Sequence, residues 1–369
     1  MLLRDFIGES VASLERLYPA PEARNIVMIL CQTLLGVKSY THITEPQTCI
    51  PPDLQAALDS AMKRLLAAEP LQYVLGSASF YGREFHVTPS VLIPRPETEL
   101  LVSCALSRLR EEPPSSASSC SSAYLDKTLT TTSSHCEKVS SASSCSSAYL
   151  DKTLVSASFR LEKPSNAPSL PEKPSVNSSS SYHREADSDA QNIKRRGARR
   201  VLDLCTGSGC IAWTIALEMP DTEVLAVDIS QAALDIAKSQ KFQASPPPCF
   251  IKADILDTEQ AFDHGSFDII LSNPPYIMNK EKSSMRANVL DYEPGLALFV
   301  DDADPLIFYR AAARWAQRFL APGGSAFFEI NERLAEQTAA SILSFGFQKL
   351  QIFRDFANKF RIVSFSKPL

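Results

Sequence analysis

From residue 199 to the C-terminus, short apolar strands alternate with helices. This alternation is typical of an α/β fold in which successive strands run parallel and helices cover the sheet. The predicted strands are 201–204, 223–228, 250–253, 267–272 and 325–330, and the predicted helices are 211–218, 231–240, 304–320 and 332–343. Two last strands, 348–353 and 361–366, have no room for a crossover helix between them, so an antiparallel edge hairpin is expected.

A glycine-containing turn joins the first of these strands to the first helix. It reads Asp203-Leu204-Cys205-Thr206-Gly207-Ser208-Gly209. Glycines at such a turn allow positive φ and a close approach of the backbone to a ligand. The pattern G-x-G-x-x-G is absent because residue 212 is alanine, so by itself the motif also fits an ordinary tight turn.

Aspartates end the next two predicted strands. Asp228 can accept both hydroxyls of a ribose, although a strand-end aspartate is often only a helix cap. Asp254 can accept from an adenine amino group, with Ile255 beside the ring. Together with the turn, these strand ends predict a nucleoside crevice, whose candidate residues are Cys205, Thr206, Gly207, Ser208, Gly209, Asp228, Asp254 and Ile255.

The most specific motif, Asn273-Pro274-Pro275-Tyr276, follows the predicted strand 267–272. Two consecutive prolines fix φ and remove two backbone donors, which leaves carbonyl acceptors without competing N–H groups. Asn273 adds a side-chain acceptor and Tyr276 a flat face. The segment therefore predicts a site for a planar NH₂ group conjugated to a carbonyl or an aromatic ring.

Asp203-Leu204-x-Thr-Gly-x-Gly, Asp228 and Asn-Pro-Pro-Tyr together resemble the class I S-adenosylmethionine-dependent methyltransferases. The chain is more closely similar to the bacterial peptide chain release factor glutamine N5-methyltransferases, as further stretches at 70–76, 93–99 and 292–298 indicate. The resemblance covers 1–110 and 197–369. It departs from the family at Cys205, where glycine is usual.

The resemblance implies a Rossmann-like fold with a mostly parallel seven-stranded sheet and an antiparallel C-terminal hairpin, after a small helical N-terminal domain. It implies methyl transfer from S-adenosylmethionine to N5 of a glutamine in a Gly-Gly-Gln-type motif of a release factor, which modulates translation termination. Catalysis is then expected from Asn273, Pro274 and Tyr276, and substrate binding from these residues and Pro275, with Asn273 also touching the cofactor.

The family likeness also brings Arg95, Glu97 and Glu99 near the pocket. A polar linker that opens a helix explains these three residues equally well, so their roles stay open. The resemblance further implies that the helical module docks the protein substrate.

Composition divides the chain into segments. Residues 1–75 have helical periodicity and form a predicted docking domain, 76–96 a β-hairpin linker, and 97–369 the catalytic domain. The catalytic domain is interrupted by a serine-rich stretch, 111–196, in which one 15-residue string occurs at 115–129 and again at 140–154. Such a stretch buries too little apolar surface to offset chain entropy, so we expect a disordered insertion without a metal site.

Charge argues against the main alternative, an N6-adenine DNA or RNA methyltransferase, which would use a similar Asn-Pro-Pro-Tyr pocket. The net charge is −5, and residues 1–75 have six Lys and Arg against eight Asp and Glu. A nucleic-acid enzyme normally has a basic surplus. We therefore expect a release factor as partner and no direct nucleic-acid binding. No apolar run is long enough for a membrane span, and the scattered cysteines are consistent with reduced thiols in the cytoplasm. We also expect a monomer.

Overall fold

The computed structural model describes residues 1–111 and 198–369. Its N-terminal part consists of five helices: α1 (Leu3–Leu14), α2 (Ala20–Leu35), α3 (Thr41–Thr44), α4 (Pro52–Leu66) and α5 (Leu71–Leu75). Both α2 and α4 have proline in the first turn, where a missing N–H leaves no hydrogen bond unmade. The apolar faces of α1, α2 and α4 share one buried core that includes Leu14, Leu30 and Leu58. The insertion predicted over 111–196 lies, apart from Glu111, outside the described residues.

An antiparallel hairpin and a long helix lead into the catalytic part of the chain. Strands β1 (Ser77–Phe80) and β2 (Arg83–His86) pair with each other, and α6 (Pro96–Arg110) follows. Tyr73 of α5 packs in a small apolar cluster with Val91 of the linker and Ala233 of the catalytic part, and its hydroxyl donates to the Val91 carbonyl at 2.6 Å. Arg199 Nη2 donates to the Glu111 carbonyl at 2.7 Å, so α6 ends beside the start of the next strand.

The remaining elements include the alternating strands and helices that the sequence predicts over 199–369, together with short elements between residues 277 and 300 that it does not predict. The strands are β3 (Arg200–Leu204), β4 (Glu223–Asp228), β5 (Cys249–Lys252), β6 (Phe267–Ser272), β7 (Ile277–Met278), β8 (Phe299–Val300), β9 (Leu320–Glu329), β10 (Gln348–Arg354) and β11 (Phe360–Ser366). The helices are α7 (Cys210–Glu218), α8 (Gln231–Lys238), α9 (Ala287–Leu290), α10 (Gly295–Leu298), α11 (Ile307–Phe319) and α12 (Ala335–Leu343), with 3₁₀ turns at Asn279–Ser284 and Glu332–Leu334.

Seven strands form one sheet in the order β10-β11-β9-β6-β3-β4-β5. The pairs from β9 to β5 are parallel, and β11 is antiparallel to both β9 and β10. The expected class I methyltransferase architecture with its antiparallel C-terminal hairpin is therefore confirmed. Two apolar cores cover the sheet, one with α6, α7 and α8 and the other with α11 and α12.

Strand β9 differs from the prediction because it begins at Leu320 rather than Ser325. Leu320 pairs with Phe267, and pairing resumes only at Ser325 with Ile269, so 321–324 loop out of register. Gly323 in this loop has φ 75°, which glycine adopts without strain. Leu320, which the sequence predicts as the last residue of the helix 304–320, therefore also pairs with Phe267 of β6.

Within the described ranges, no helix has the length and apolar character needed to cross a membrane.

Candidate active site

The carboxyl ends of four neighbouring strands, β6, β3, β4 and β5, lie side by side. Residues 205–209 follow β3, Asp228 ends β4, Asp254 lies just beyond β5, and Asn273 follows β6. Because these strands are parallel, the topology brings four separate stretches of the chain to one end of the sheet. We keep the name nucleoside crevice for 205–209, Asp228, Asp254 and Ile255.

Three residues of the loop after β3 have positive φ: Cys205 at 61°, Gly207 at 54° and Gly209 at 78°. A Cβ on Gly209 would lie 3.0 Å from the Ala237 Cβ, so only glycine fits there without a shift. A Cβ on Gly207 would meet no described atom within 4 Å, so this part of the loop faces open space. Cys205 has the left-handed conformation that favours glycine, which explains physically why glycine suits this position.

Asp228 uses one carboxylate oxygen to hold the loop after β3 and the other to hold the turn that follows β4. Its Oδ2 accepts from the Gly207 backbone N–H and its Oδ1 from the Ser230 N–H, each at 2.9 Å. Burial raises the pKa of Asp228, and these hydrogen bonds oppose the rise. Each oxygen keeps a further lone pair, so the carboxylate can still accept hydroxyl groups from a ligand.

Asp203 lies beneath the same loop and is fully buried. Its Oδ2 accepts from the Thr206 hydroxyl at 2.6 Å, and its Oδ1 has no hydrogen-bond partner among the described residues. Burial is the main cause that raises the pKa of Asp203 to about 7; the hydrogen bond from Thr206 opposes this rise, and the negative charge of Asp228 adds to it. Asp203 therefore supports the loop from inside.

Asp254 opens a tight turn, since its Oδ1 accepts from the Leu256 N–H at 2.8 Å. Ile255 is 5% exposed and packs in the core. The Ile255 carbonyl accepts from the Trp315 indole N–H at 3.2 Å. The side chain of Ile255 therefore points inward beneath the turn, while Asp254 stays at the strand end.

Asn273 and Tyr276 are held by three side chains that are far away in sequence. Asn273 Nδ2 donates to Thr98 Oγ1 at 3.1 Å, and the Thr98 hydroxyl donates to Glu329 Oε2 at 2.7 Å. The Tyr276 hydroxyl donates to Glu329 Oε1 at 2.9 Å. The Tyr276 backbone carbonyl accepts from Asn331 Nδ2 at 3.2 Å. Side chains of α6 and β9 thus fix the segment after β6.

A cavity of about 170 Å³ opens at this segment. It is lined by Leu92, Arg95, Asn273, Pro274, Tyr276, Ile277, Met285, Val289, Ala297 and Leu298. Asn273 and Pro274 are among its few polar acceptors, and most of the wall is apolar. We call this cavity, together with Asn273–Tyr276, the acceptor pocket.

The surroundings of Arg95, Glu97 and Glu99 differ from one another. Arg95 lines the acceptor pocket and forms an ion pair with Glu293, whose side chain is 1% exposed. Glu99 accepts from the Tyr81 backbone N–H at 2.8 Å and therefore fastens the β1–β2 hairpin. Glu97 is half-buried, and its negative charge helps to raise the pKa of Glu329.

The sequence interpretation missed Thr98 and Glu329. Glu329 is 1% exposed and ends a strand that is otherwise apolar over Ala326-Phe327-Phe328. A lone carboxylate at the end of a buried strand is a recognisable signal, because such a charge must find partners. Thr98 had no comparable signal, since its two partners lie 175 and 231 residues away.

The sheet topology, with a glycine loop after β3, an aspartate at the end of β4 and a polar segment after β6, defines a Rossmann-like class I methyltransferase. Comparison with known proteins gives the same class. The Methyltransferase small domain family matches residues 172–290, and the PrmC N-terminal domain family matches residues 11–76.

Curated relatives narrow the class further. A release factor glutamine methyltransferase of Bacteroides thetaiotaomicron is 31% identical over 95% of this chain and 95% of its own length. Proteins of the same name from Flavobacterium psychrophilum and Koribacter versatilis are 27% and 30% identical, covering 98% and 86% of this chain and 98% and 82% of their own lengths. The chain belongs to the release factor glutamine methyltransferase family.

Proposed function

We propose that this chain transfers the methyl group of S-adenosylmethionine to the side-chain amide nitrogen of a glutamine in a peptide chain release factor. Family membership supports the reaction class. The observation that carries the proposal is the orientation of Asn273, whose Nδ2 is bound to Thr98. This leaves Oδ1 as the acceptor that Asn273 offers at the acceptor pocket, and a carboxamide substrate needs acceptors for its two hydrogens.

The residues of the nucleoside crevice fit the cofactor. Gly207 faces open space, so a ligand can approach the loop backbone, and Asp228 has free lone pairs for ribose hydroxyls. In this assignment 205–209 and Asp228 hold the ribose side, Asp254 meets the adenine amino group, and Asn273 lies between cofactor and substrate. When bound, S-adenosylmethionine supplies an electrophilic methyl group on a sulfonium sulfur.

The chemical difficulty is the nucleophile, because an amide nitrogen delocalises its lone pair into the carbonyl. We assign the acceptance of the two amide hydrogens to Asn273 Oδ1 and the Pro274 carbonyl. No described residue donates a hydrogen bond to that carbonyl. Acceptors that are already oriented stabilise N–H groups as they become more acidic, and holding the nitrogen in line lowers the barrier further.

The rest of the acceptor pocket suits the other parts of a glutamine side chain. Tyr276 presents its ring to the planar amide, and Leu92, Met285 and Leu298 give an apolar wall for the methylene groups. Among the described residues that line the cavity there is no carboxylate and no imidazole. The proton of the methylated amide therefore leaves late, to water.

The N-terminal helices are the proposed docking surface for the protein substrate, since one side chain offers little contact area. Arg286 forms an ion pair with Glu22 of α2 at 2.6 Å, and the Tyr292 hydroxyl donates to the Ala67 carbonyl at 2.7 Å. The segment that contributes Met285 and Val289 to the pocket is thus joined to the helical module. A substrate bound to these helices would lie next to the pocket.

The test is methyl transfer with defined acceptors. Purified protein is incubated with labelled S-adenosylmethionine and, separately, with release factor, DNA or ribosomal RNA, and products are mapped by intact mass and peptide mass spectrometry. We expect one added methyl on one glutamine of the release factor, and none after that glutamine is replaced by glutamate. Methyl transfer to adenine, or none to release factor while cofactor binds, would overturn the proposal.

A further inference from the structure

Glu329 lies behind the acceptor pocket and is not part of its wall. It is 1% exposed at the end of β9, and both of its oxygens accept from hydroxyls, one from Thr98 and one from Tyr276. Thr98 is also buried, at 2% exposure. Burying a charge is costly unless donors compensate it, and Glu329 has two hydroxyl donors.

The direction of these hydrogen bonds is determined by the carboxylate. An ionised carboxylate only accepts, so the Thr98 hydroxyl must donate its single hydrogen to Glu329. The Thr98 oxygen can then only accept from Asn273, and it receives Nδ2 at 3.1 Å. If Asn273 were turned by 180°, two acceptor oxygens would face each other. Ionised Glu329 therefore selects one of the two orientations of the Asn273 carboxamide.

We infer that Glu329, acting through Thr98, is a positioning residue that keeps the Asn273 carbonyl oxygen available to the substrate amide. This inference rests on the proposed function. In the opposite orientation Asn273 would present its own NH₂ to the NH₂ of the substrate, donor against donor. With Asn273 flipped in this way, the substrate NH₂ would lose its hydrogen bond to Asn273 Oδ1 in the transition state, while the shape of the pocket would stay the same.

Opposing influences act on the charge of Glu329. Burial raises its pKa, while the hydrogen bonds from Thr98 and Tyr276 and the charge of Arg361 lower it and the charge of Glu97 raises it. The second hydroxyl bond fixes the Tyr276 ring beside Asn273. The Glu329 carboxylate thereby orients both Asn273, through Thr98, and Tyr276, directly.

The test replaces Thr98 by valine, which keeps its shape and removes its hydroxyl, and by serine, which keeps the hydroxyl. We expect Thr98→Val to lower kcat on the order of 10-fold, with cofactor Kd and release-factor KM changed by no more than about twofold. Thr98→Ser should restore most of the wild-type kcat. Glu329→Gln should also lower kcat, because an amide has only one acceptor oxygen for two hydroxyl donors.

Thr338 provides a matched control. It is a fully buried threonine in α12 whose hydroxyl has no hydrogen-bond partner among the described residues. Thr338→Val makes the same chemical change away from the site and should leave kcat unchanged. An unchanged kcat in Thr98→Val, or equal losses in Thr98→Val and Thr98→Ser that follow a common fall in Tm, would overturn the inference.

A second measurement separates this inference from the proposed function. Selective ¹⁵N-asparagine labelling reports the side-chain NH₂ of Asn273 in the free protein, assigned by its loss in Asn273→Ala. We expect its hydrogens to exchange slowly in wild type and quickly in Thr98→Val. Slow exchange of the Asn273 NH₂ hydrogens without any glutamine methylation would contradict the proposed function but not the positioning inference. Glutamine methylation together with rapid exchange of these hydrogens in the wild-type protein would contradict the positioning inference but not the proposed function.

Discussion

The nucleoside crevice and the acceptor pocket lie at the same end of the sheet but are held together differently. In the crevice, Asp228 binds the backbone N–H groups of Gly207 and Ser230, and Asp254 binds that of Leu256, two residues on. In the pocket, Asn273 and Tyr276 depend on side chains of α6 and β9. The crevice is organised by backbone turns at strand ends, and the pocket by buried side-chain hydrogen bonds.

Mutations in the two regions should therefore differ in the kinetic or binding constant that they change first. A change in the crevice alters a loop that contacts the cofactor, so its first effect should be on cofactor affinity. A change in the pocket alters acceptors that matter as charge develops on the amide, so its first effect should be on turnover.

The largest effect is expected from Asn273→Ala. Loss of one preorganised acceptor should lower kcat by about 10²-fold or more, while cofactor Kd changes far less. The measurement combines steady-state methylation of release factor with calorimetric titration of the cofactor. Asn279→Ala, at an exposed position just after the segment, is the matched control. Unaltered turnover in Asn273→Ala would remove the proposed mechanism.

Asp228→Ala should give the opposite pattern. Hydrogen bonds to a charged group are worth about 1.5–3 kcal/mol, so cofactor affinity should fall roughly 10- to 100-fold, with a smaller change in kcat at saturating cofactor. Asp235→Ala, at an exposed aspartate of α8, controls for the loss of one negative charge. If Asp228→Ala lowered kcat alone, crevice and pocket would not be separable in the way proposed here.

The contrast also explains what could be predicted from the sequence. The alternating strands and helices of 199–369 give the sheet, because each element has a local pattern, and the strand-end positions of Asp228 and Asn273 follow from it. The hydrogen bonds from Asn273 to Thr98 and from Thr98 to Glu329 could not be predicted, since Thr98 and Glu329 meet only after α6 packs beside β9. Side-chain hydrogen bonds over 231 residues have no local signature.

Asp203 beneath the crevice loop and Glu329 behind the acceptor pocket are both buried carboxylates, and they differ in their hydrogen bonds. Glu329 has two hydroxyl donors, whereas Asp203 has one, from Thr206. Burial raises the pKa of Asp203 to about 7 from an ordinary value of 3.8. Between these values the folded protein holds a proton that the unfolded chain has released, so the free energy of unfolding falls as pH rises, by up to about 1.4 kcal/mol per pH unit.

Asp203→Asn removes this titration while keeping nearly the same shape. Denaturant unfolding between about pH 4 and 7 should therefore show a flatter pH dependence in the variant than in wild type. Asp53→Asn, at an exposed position in α4, controls for the change in net charge. Identical slopes for wild type and Asp203→Asn would mean that the carboxyl titrates as it does in the unfolded chain.

The smallest effect concerns backbone strain at Cys205, where φ is 61°. At most positions glycine is less stable than alanine by roughly 0.5–1 kcal/mol, because glycine loses more chain entropy on folding. A left-handed backbone reverses the order, since a Cβ costs roughly 1–2 kcal/mol there. We therefore expect Cys205→Gly to be more stable than Cys205→Ala by up to about 1 kcal/mol. Both variants lack the thiol, so their difference in chemical denaturation isolates the backbone. If the alanine variant were the more stable, Cys205 would not have a left-handed backbone in solution. The description of the crevice as organised by backbone turns would then be wrong at this position.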